Sequence, residues 1–260
     1  MKHAYGWIPD LPDQRDFPFQ RSAPAKVWTP ANRPTGPVAS PAPHIDLRPG
    51  CPLIYNQGQQ GSCTAQAIAA AVDFERKRQG LDFMWPSREF IYWNERALEG
   101  STSSDSGAMI RDGFKVITHK GVCTEQNWPY KSGWHARPPK WAFLKARHQK
   151  TLTYLSIQQQ QIDMLDCLAQ GFPFVFGITV YDSFESDAAN ATGNVPMPGP
   201  TEAVLGGHAL LAVGYESVSR IRFRNSWGEE WGDAGYGTIP IHYLTNPNLA
   251  SDFWTVRLEE

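Results

Sequence analysis

Several things are scarce in this sequence, and each shortage removes a class of function. No apolar run approaches the roughly 18 residues needed to cross a bilayer, so no membrane partner is expected. The first 30 residues hold no apolar core of the kind a Sec signal needs, which points to the cytoplasm or to export by a leaderless route. Charge of one sign is not in excess: 24 Lys and Arg face 26 Asp and Glu, for a formal net charge of −2. Nothing therefore pulls the chain toward nucleic acid. Four cysteines in 260 residues cannot make a disulfide scaffold. There is no C-x-x-C, no H-E-x-x-H, no Walker loop and no dinucleotide glycine fingerprint, so neither a metal nor a cofactor is expected.

What is abundant is proline, and it is unevenly spread. Nine of the 21 prolines (Pro9, Pro12, Pro18, Pro24, Pro30, Pro34, Pro37, Pro41 and Pro43) fall in the first 43 residues. Each ring fixes φ, removes an amide donor and pushes its predecessor toward extended geometry. Residues 1–43 can therefore be neither helix nor central strand. They also carry Tyr5, Trp7, Phe17, Phe19 and Trp28, which a solvated tail seldom has. Stiff, extended chain with aromatic anchors suits a segment laid along a groove.

From His44 onward the pattern is globular. Helical spacing runs over Thr64–Gly80, over a segment capped by Ser87, over Ala108–Lys120 and over Gln160–Gln170. Strand-like runs follow at Phe172–Tyr181, Ala209–Tyr215, Arg220–Asn225, Tyr236–Pro240 and Phe253–Leu258. Helices first and strands later predict an α+β fold in two lobes, helical over about 50–135 and β-rich over about 150–250. The basic stretch from Arg137 to Lys150 reads as a solvated connector between them.

Three stretches hold residues suited to chemistry: Gln57 to Thr64, Gly206 to Leu210, and Asn225 to Tyr236. Cys63 follows a glycine-containing loop and opens a helix, where terminal amides favour a thiolate. A histidine base steadied by a third polar group completes the activation of a thiol. His208 precedes one strand and Asn225 ends the next, so their side chains can meet at the sheet edge. Gln57 and the Cys63 amide can face a developing oxyanion.

The order Gln, Cys, His, Asn, the six-residue step from Gln57 to Cys63, and N-S-W-G-x-x-W-G-x-x-G-Y over Asn225–Tyr236 resemble the papain-like cysteine peptidases, in particular the bacterial, xylellain-like branch. His208 and Asn225 follow Cys63 by 145 and 162 residues, the second separation slightly long. Ile45 to Arg48 looks like a mature N-terminus. The likeness covers about residues 44–260 and departs at two positions: Gln60 stands where the family has a cysteine, so its usual disulfide beside the site cannot form, and Thr64 replaces an aromatic.

The resemblance implies a helical lobe bearing Cys63, a β-rich lobe bearing His208 and Asn225, and peptide or protein substrate in the cleft between them. It implies a Cys63 nucleophile, His208 as acid and base, Asn225 as its orienter, Gln57 as oxyanion donor and Trp227 as a shield over the His208–Asn225 bond. Ser106, Gly107 and Gly207 are expected to line the peptide, and a monomer is expected. Residues 1–43 become a candidate pro-segment, an intramolecular inhibitor of an endopeptidase. Other readings share the same residues: an exopeptidase with a partly blocked cleft, a thioester-forming amidase or acyltransferase, or a binding protein that keeps the fold. Cys51 and Cys123 can pair or stay free; Cys167 reads as a buried thiol.

Overall fold

Alternation in the second half of the chain builds a sheet that is apolar on both faces. In β3 (Phe174–Tyr181), Phe174, Phe176 and Ile178 face one side and Val175 the other; in β4 (Val204–Ser217), Leu210 and Ala212 alternate with Leu211 and Val213. Such a sheet must be covered twice. The computed structural model describes residues 3–20, 42–130, 133–147 and 152–258. Among these, β2 (Leu152–Ser156), β7 (Ala250–Leu258), β3, β4, β5 (Arg220–Arg224) and β6 (Tyr236–Pro240) lie side by side in that order. Neighbours are antiparallel throughout, and β1 (Ile45–Asp46) adds to β4.

One face receives α1 (Cys63–Arg78), α2 (Arg88–Glu99) and α3 (Ile110–His119). α1 is rich in buried alanines (Ala65, Ala67, Ala69, Ala70, Ala71), so its backbone packs close to the sheet. Ser87 caps α2 by accepting from the Phe90 N–H at 3.1 Å, and Gly100 ends it at φ 74. The other face is closed by α5 (Gln161–Ala169) and by Phe184, Phe223, Trp231 and Tyr243.

The structure moves several expected boundaries. β4 starts at Val204, so His208 lies within a strand and not before one. α3 starts at Ile110 and not Ala108, because Ala108 gives its N–H to Gly6 and its carbonyl to Ile8. The basic connector stays largely exposed over residues 137–147, with Arg137, Lys140, Lys145 and Arg147 in solvent, but it is not unstructured. α4 (Lys140–Ala146) docks on the helical side, burying Ala142 and Ala146 one turn apart with Phe143 edge-on to Phe90 at 5.0 Å. Cys51, Cys63, Cys123 and Cys167 are all free, which decides against a Cys51–Cys123 bridge.

The N-terminal arm holds no helix in residues 3–20, as its prolines require, and pairs by isolated bridges, Trp7 with Ala108 and Pro18 with Ser156, without adding a strand to the sheet. Pro24, Trp28, Pro30, Pro34, Pro37 and Pro41 lie outside the described residues.

Candidate active site

Cys63 is the first residue of α1 and fully buried. Burial pushes its thiol up to about 12, partly offset by the nearby backbone N–H groups of Ala209, Gly6 and Thr64. Ala209 follows His208 on β4, so the helix start and the histidine strand meet at this atom.

His208 Nε2 lies 2.9 Å from Asn225 Oδ1. The Ser226 N–H donates to the same oxygen at 2.8 Å, which fixes the orientation of the amide. The acceptor at His208 is therefore an oxygen, and Nε2 must carry the proton. Nδ1 is left as a buried lone pair with no hydrogen-bond partner among the described residues. Trp227 stacks on the imidazole with centroids 4.8 Å apart and 25° between the planes, covering the expected bond. Burial drives the imidazole down to about 4, against the stabilising bond to Asn225. The thiol and the imidazole are thus held neutral.

Gln57 is buried, and both ends of its amide are used. Its Oε1 accepts from Ser226 Oγ at 2.6 Å; its Nε2 donates to Gln60 O at 2.9 Å and to Ala4 O at 3.2 Å. The last of these partners belongs to the arm. Gly6 and Trp7 donate their N–H groups to Gly207 O at 3.0 and 2.9 Å. Gly6 O accepts from Ala108 N at 2.7 Å, and Ile8 N donates to Ala108 O at 3.0 Å, so Trp7 and Ala108 form a parallel bridge. Tyr5 stands edge-on to His208 at 6.2 Å, and His3 stacks on Trp227 at 3.9 Å.

Glycines make this approach possible. A Cβ on Gly107 (φ 77) would sit 2.2 Å from Gly6 O, and one on Gly6 would sit 1.8 Å from Gly61 O. The structure therefore brings Gln57, Cys63, Gly107, Gly207, His208, Asn225 and Trp227 together around residues 4–8. Ser106 is the exception: it is exposed, and its hydroxyl goes to Gly107 O at 3.2 Å.

Sequence reasoning missed the supports of the Cys63 loop. Asp105 accepts the Gly61 N–H with both oxygens, at 3.1 and 3.0 Å, and also takes the Tyr92 hydroxyl. The Tyr92 oxygen in turn accepts the Gly107 N–H at 3.2 Å. A hydrogen-bonded clamp thus joins the loop before Cys63 to the strip that binds the arm. Gln60, standing where the family has a cysteine, donates to Glu89 at 3.2 Å. Thr64 gives its hydroxyl to the buried Glu95 at 2.9 Å. The one signal in the sequence was position: Asp105 immediately precedes Ser106-Gly107.

Residues 42–245 match the family described as papain family cysteine protease. The chain belongs to the papain family of cysteine proteases. It is similar to xylellain, a cysteine protease from Xylella fastidiosa, at 37% identity and a TM-score of 0.89, over 100% of this chain and 97% of that one. An uncharacterized peptidase C1-like protein of Acanthamoeba polyphaga mimivirus is 43% identical over 213 residues, 78% of this chain and 68% of that protein. Cathepsin B-like CP3 of Giardia intestinalis is 30% identical over 232 residues, 79% of this chain and 72% of its own. The papain-like α+β architecture follows, with Cys63 on the helical side and His208 and Asn225 on the sheet side, in a hydrolase that acts on peptide bonds.

Proposed function

We propose that the chain is a latent cysteine endopeptidase whose own N-terminal residues occupy the peptide groove. One observation carries this reading: Gly6 and Trp7 pair with Gly207, Gly6 and Ile8 pair with Ala108, and Ala4 O sits on Gln57, all across a buried Cys63. The Gly6 N–H that lies near the sulfur is itself given to Gly207 O at 3.0 Å, so the arm's main chain runs past the nucleophile paired to the groove.

When the arm leaves, water reaches the thiol and imidazole and removes the burial that holds both neutral. The proton of Cys63 passes to the bare Nδ1 of His208, giving a thiolate and an imidazolium. The sulfur attacks the scissile carbonyl, and the carbonyl π pair moves onto oxygen, where Gln57 Nε2 and the Cys63 amide hold it. Collapse of the tetrahedral adduct expels the amine, which takes the proton from His208 Nδ1. Water then gives a proton to that nitrogen, attacks the thioester and releases the acid and the thiol. Asn225 holds the ring through Nε2 in both steps, with Trp227 keeping solvent from that bond.

Cys63→Ala abolishes turnover in this scheme, and retained turnover refutes the nucleophile. Latency is tested by comparing the full chain with one that begins at His44. The shorter chain should cleave peptides faster by at least about 100-fold, given the several kcal/mol that an anchored indole contributes. Equal rates would return residues 1–43 to the status of a tail.

A further inference from the structure

The charge of this chain is unevenly placed. Between Glu125 and Asp163 the sequence has no acidic residue, while Lys131, Arg137, Lys140, Lys145, Arg147 and Lys150 all fall there, in a chain whose net charge is −2. The structure describes Arg137, Lys140, Lys145 and Arg147, and all four are exposed. Glu125, the acid that precedes the stretch, is taken by Arg88 at 2.8 Å. No described carboxylate pairs with any of the four.

α4 gathers these cations around an apolar pair. Its inner side is Ala142, Phe143 and Ala146; outward it presents Trp141, Leu144 and Lys145, three and four residues apart. Trp141 is 48% and Leu144 57% exposed, so an indole and an isobutyl group stand together in water. Lys140 lies four residues before Leu144 and Arg147 three after it, which puts a cation at each end of the pair. Arg137 is held beside them, 5.6 Å over the Trp93 ring that Phe143 meets edge-on.

Neither feature serves the helix itself. Lys140 is its first residue and no acid stands in the first turn, the reverse of what the helix dipole favours. The docking on α2 is made by Phe143, edge-on to Phe90 at 5.0 Å, and leaves the outer pair in water.

The combination selects among partners. A second copy of the chain would set these cations against themselves. Single-stranded nucleic acid stacks on successive aromatic faces, and the neighbour of Trp141 is a leucine. An acidic peptide answers the charges and leaves the apolar pair unanswered. A bilayer with anionic headgroups answers both, and a basic patch with an apolar anchor holds there where either alone is weak. No described helix is long and apolar enough to cross a membrane, and peripheral contact needs none.

We propose that α4 and Arg137 form a peripheral docking surface for anionic lipid, with Trp141 and Leu144 entering the headgroup layer between Lys140, Lys145 and Arg147. The surface holds none of the residues assigned to catalysis, so it stands independently of the peptidase reading.

The test is co-sedimentation of the full chain with vesicles of phosphatidylcholine, alone or with about 30% phosphatidylserine. The mixed vesicles should bind at least about tenfold more tightly, and this advantage should shrink as salt rises from about 0.1 to 0.5 M. Lys140→Glu with Lys145→Glu should remove the advantage. Trp141→Ala should weaken binding to the mixed vesicles about fivefold and leave the salt dependence unchanged. All three side chains are exposed, so the melting temperature of each variant should stay at the native value. In the native chain, the emission that Trp141→Phe removes should shift to the blue when mixed vesicles are added. No preference for the mixed vesicles, an unchanged preference after charge reversal, or an indole that stays in water overturns the proposal. Tighter binding to polyglutamate or to a single-stranded oligonucleotide, at equal charge concentration, overturns it in favour of that partner.

Discussion

Residues 3–10 and residues 11–20 belong to one arm, yet they are held in different surroundings. The first stretch is gripped through its backbone, with Gly6, Trp7 and Ile8 all hydrogen-bonded into the groove and only Trp7 deeply anchored. The second pairs at the sheet's edge, with the Phe19 N–H on Ser156 O at 2.7 Å and the Ser156 N–H on Phe17 O at 2.8 Å, and leaves more of its side chains outside. Leu11 and Phe17 are 71% and 72% exposed, and its ties are the Arg111–Asp16 ion pair at 2.7 Å, the Pro18–Ser156 bridge and the buried Phe19. Backbone capture ignores sequence except where space or a donor is demanded, so the first half lies along the groove while the second carries the arm across β2.

Four changes break or sharpen this contrast, each read as the rate at which iodoacetamide labels Cys63 in the full chain. Trp7→Ala removes the anchor of the inner half at a cost of about 3–5 kcal/mol and should raise labelling by at least about 100-fold. An unchanged rate would mean that the backbone pairing alone holds the arm. Gly6→Ala places a methyl against a main-chain oxygen that cannot step aside, about 1–3 kcal/mol, and should raise labelling roughly tenfold. Asp16→Asn cuts an ion pair in the outer half, worth about 1 kcal/mol, and should raise it only a few-fold. If it matched Trp7→Ala, the outer half would be the true latch.

The smallest effect is a dependence on pH. Burial, then the charge of Asp252, lifts the Asp10 carboxyl to about 7, against Arg111 and the Trp254 N–H. A released Asp10 has the ordinary carboxylate value near 4, so the docked arm binds the extra proton. Its contribution to docking is complete below that ordinary value and is lost as pH rises through about 7. His208 works the other way: pushed down to about 4 in the closed state, it opposes docking only as pH falls below its ordinary value near 6.5. Between pH 6 and 8, labelling of the native chain relative to Asp10→Asn should therefore climb by a few-fold and level off. A flat ratio would show that Asp10 keeps its charge state on release.

Much of the site could be read from the sequence because its chemistry demands particular residue types. Nothing else replaces Cys63, His208, Asn225 and Gln57, and Asn225–Tyr236 carries its glycines and tryptophans in one unbroken string. The helices and strands were legible by period, with ends shifted where tertiary contacts won, as when Ala108 gives its backbone to the arm and leaves α3. The seat of the Trp7 side chain, against Gly177 and with its N–H on Asp252, was not legible. Gly177 looks like any strand glycine, and the aim of Asp252 depends on a bulge that exists only once β3 and β7 have paired. The Asp105–Tyr92 clamp was hidden for the same reason, since it joins residues that are neighbours only after folding.

The placement of Gly6 over a fully buried Cys63 has one more consequence. Sulfenic acid formation needs an accessible thiolate, and beneath the arm the sulfur is buried and that burial favours the neutral thiol. On the proposed reading, the arm that keeps peptides from the groove also keeps peroxide from the sulfur. A full chain stored under oxidising conditions should keep its Cys63 as a free thiol long after an opened chain has lost it. The proposed latency would then double as preservation.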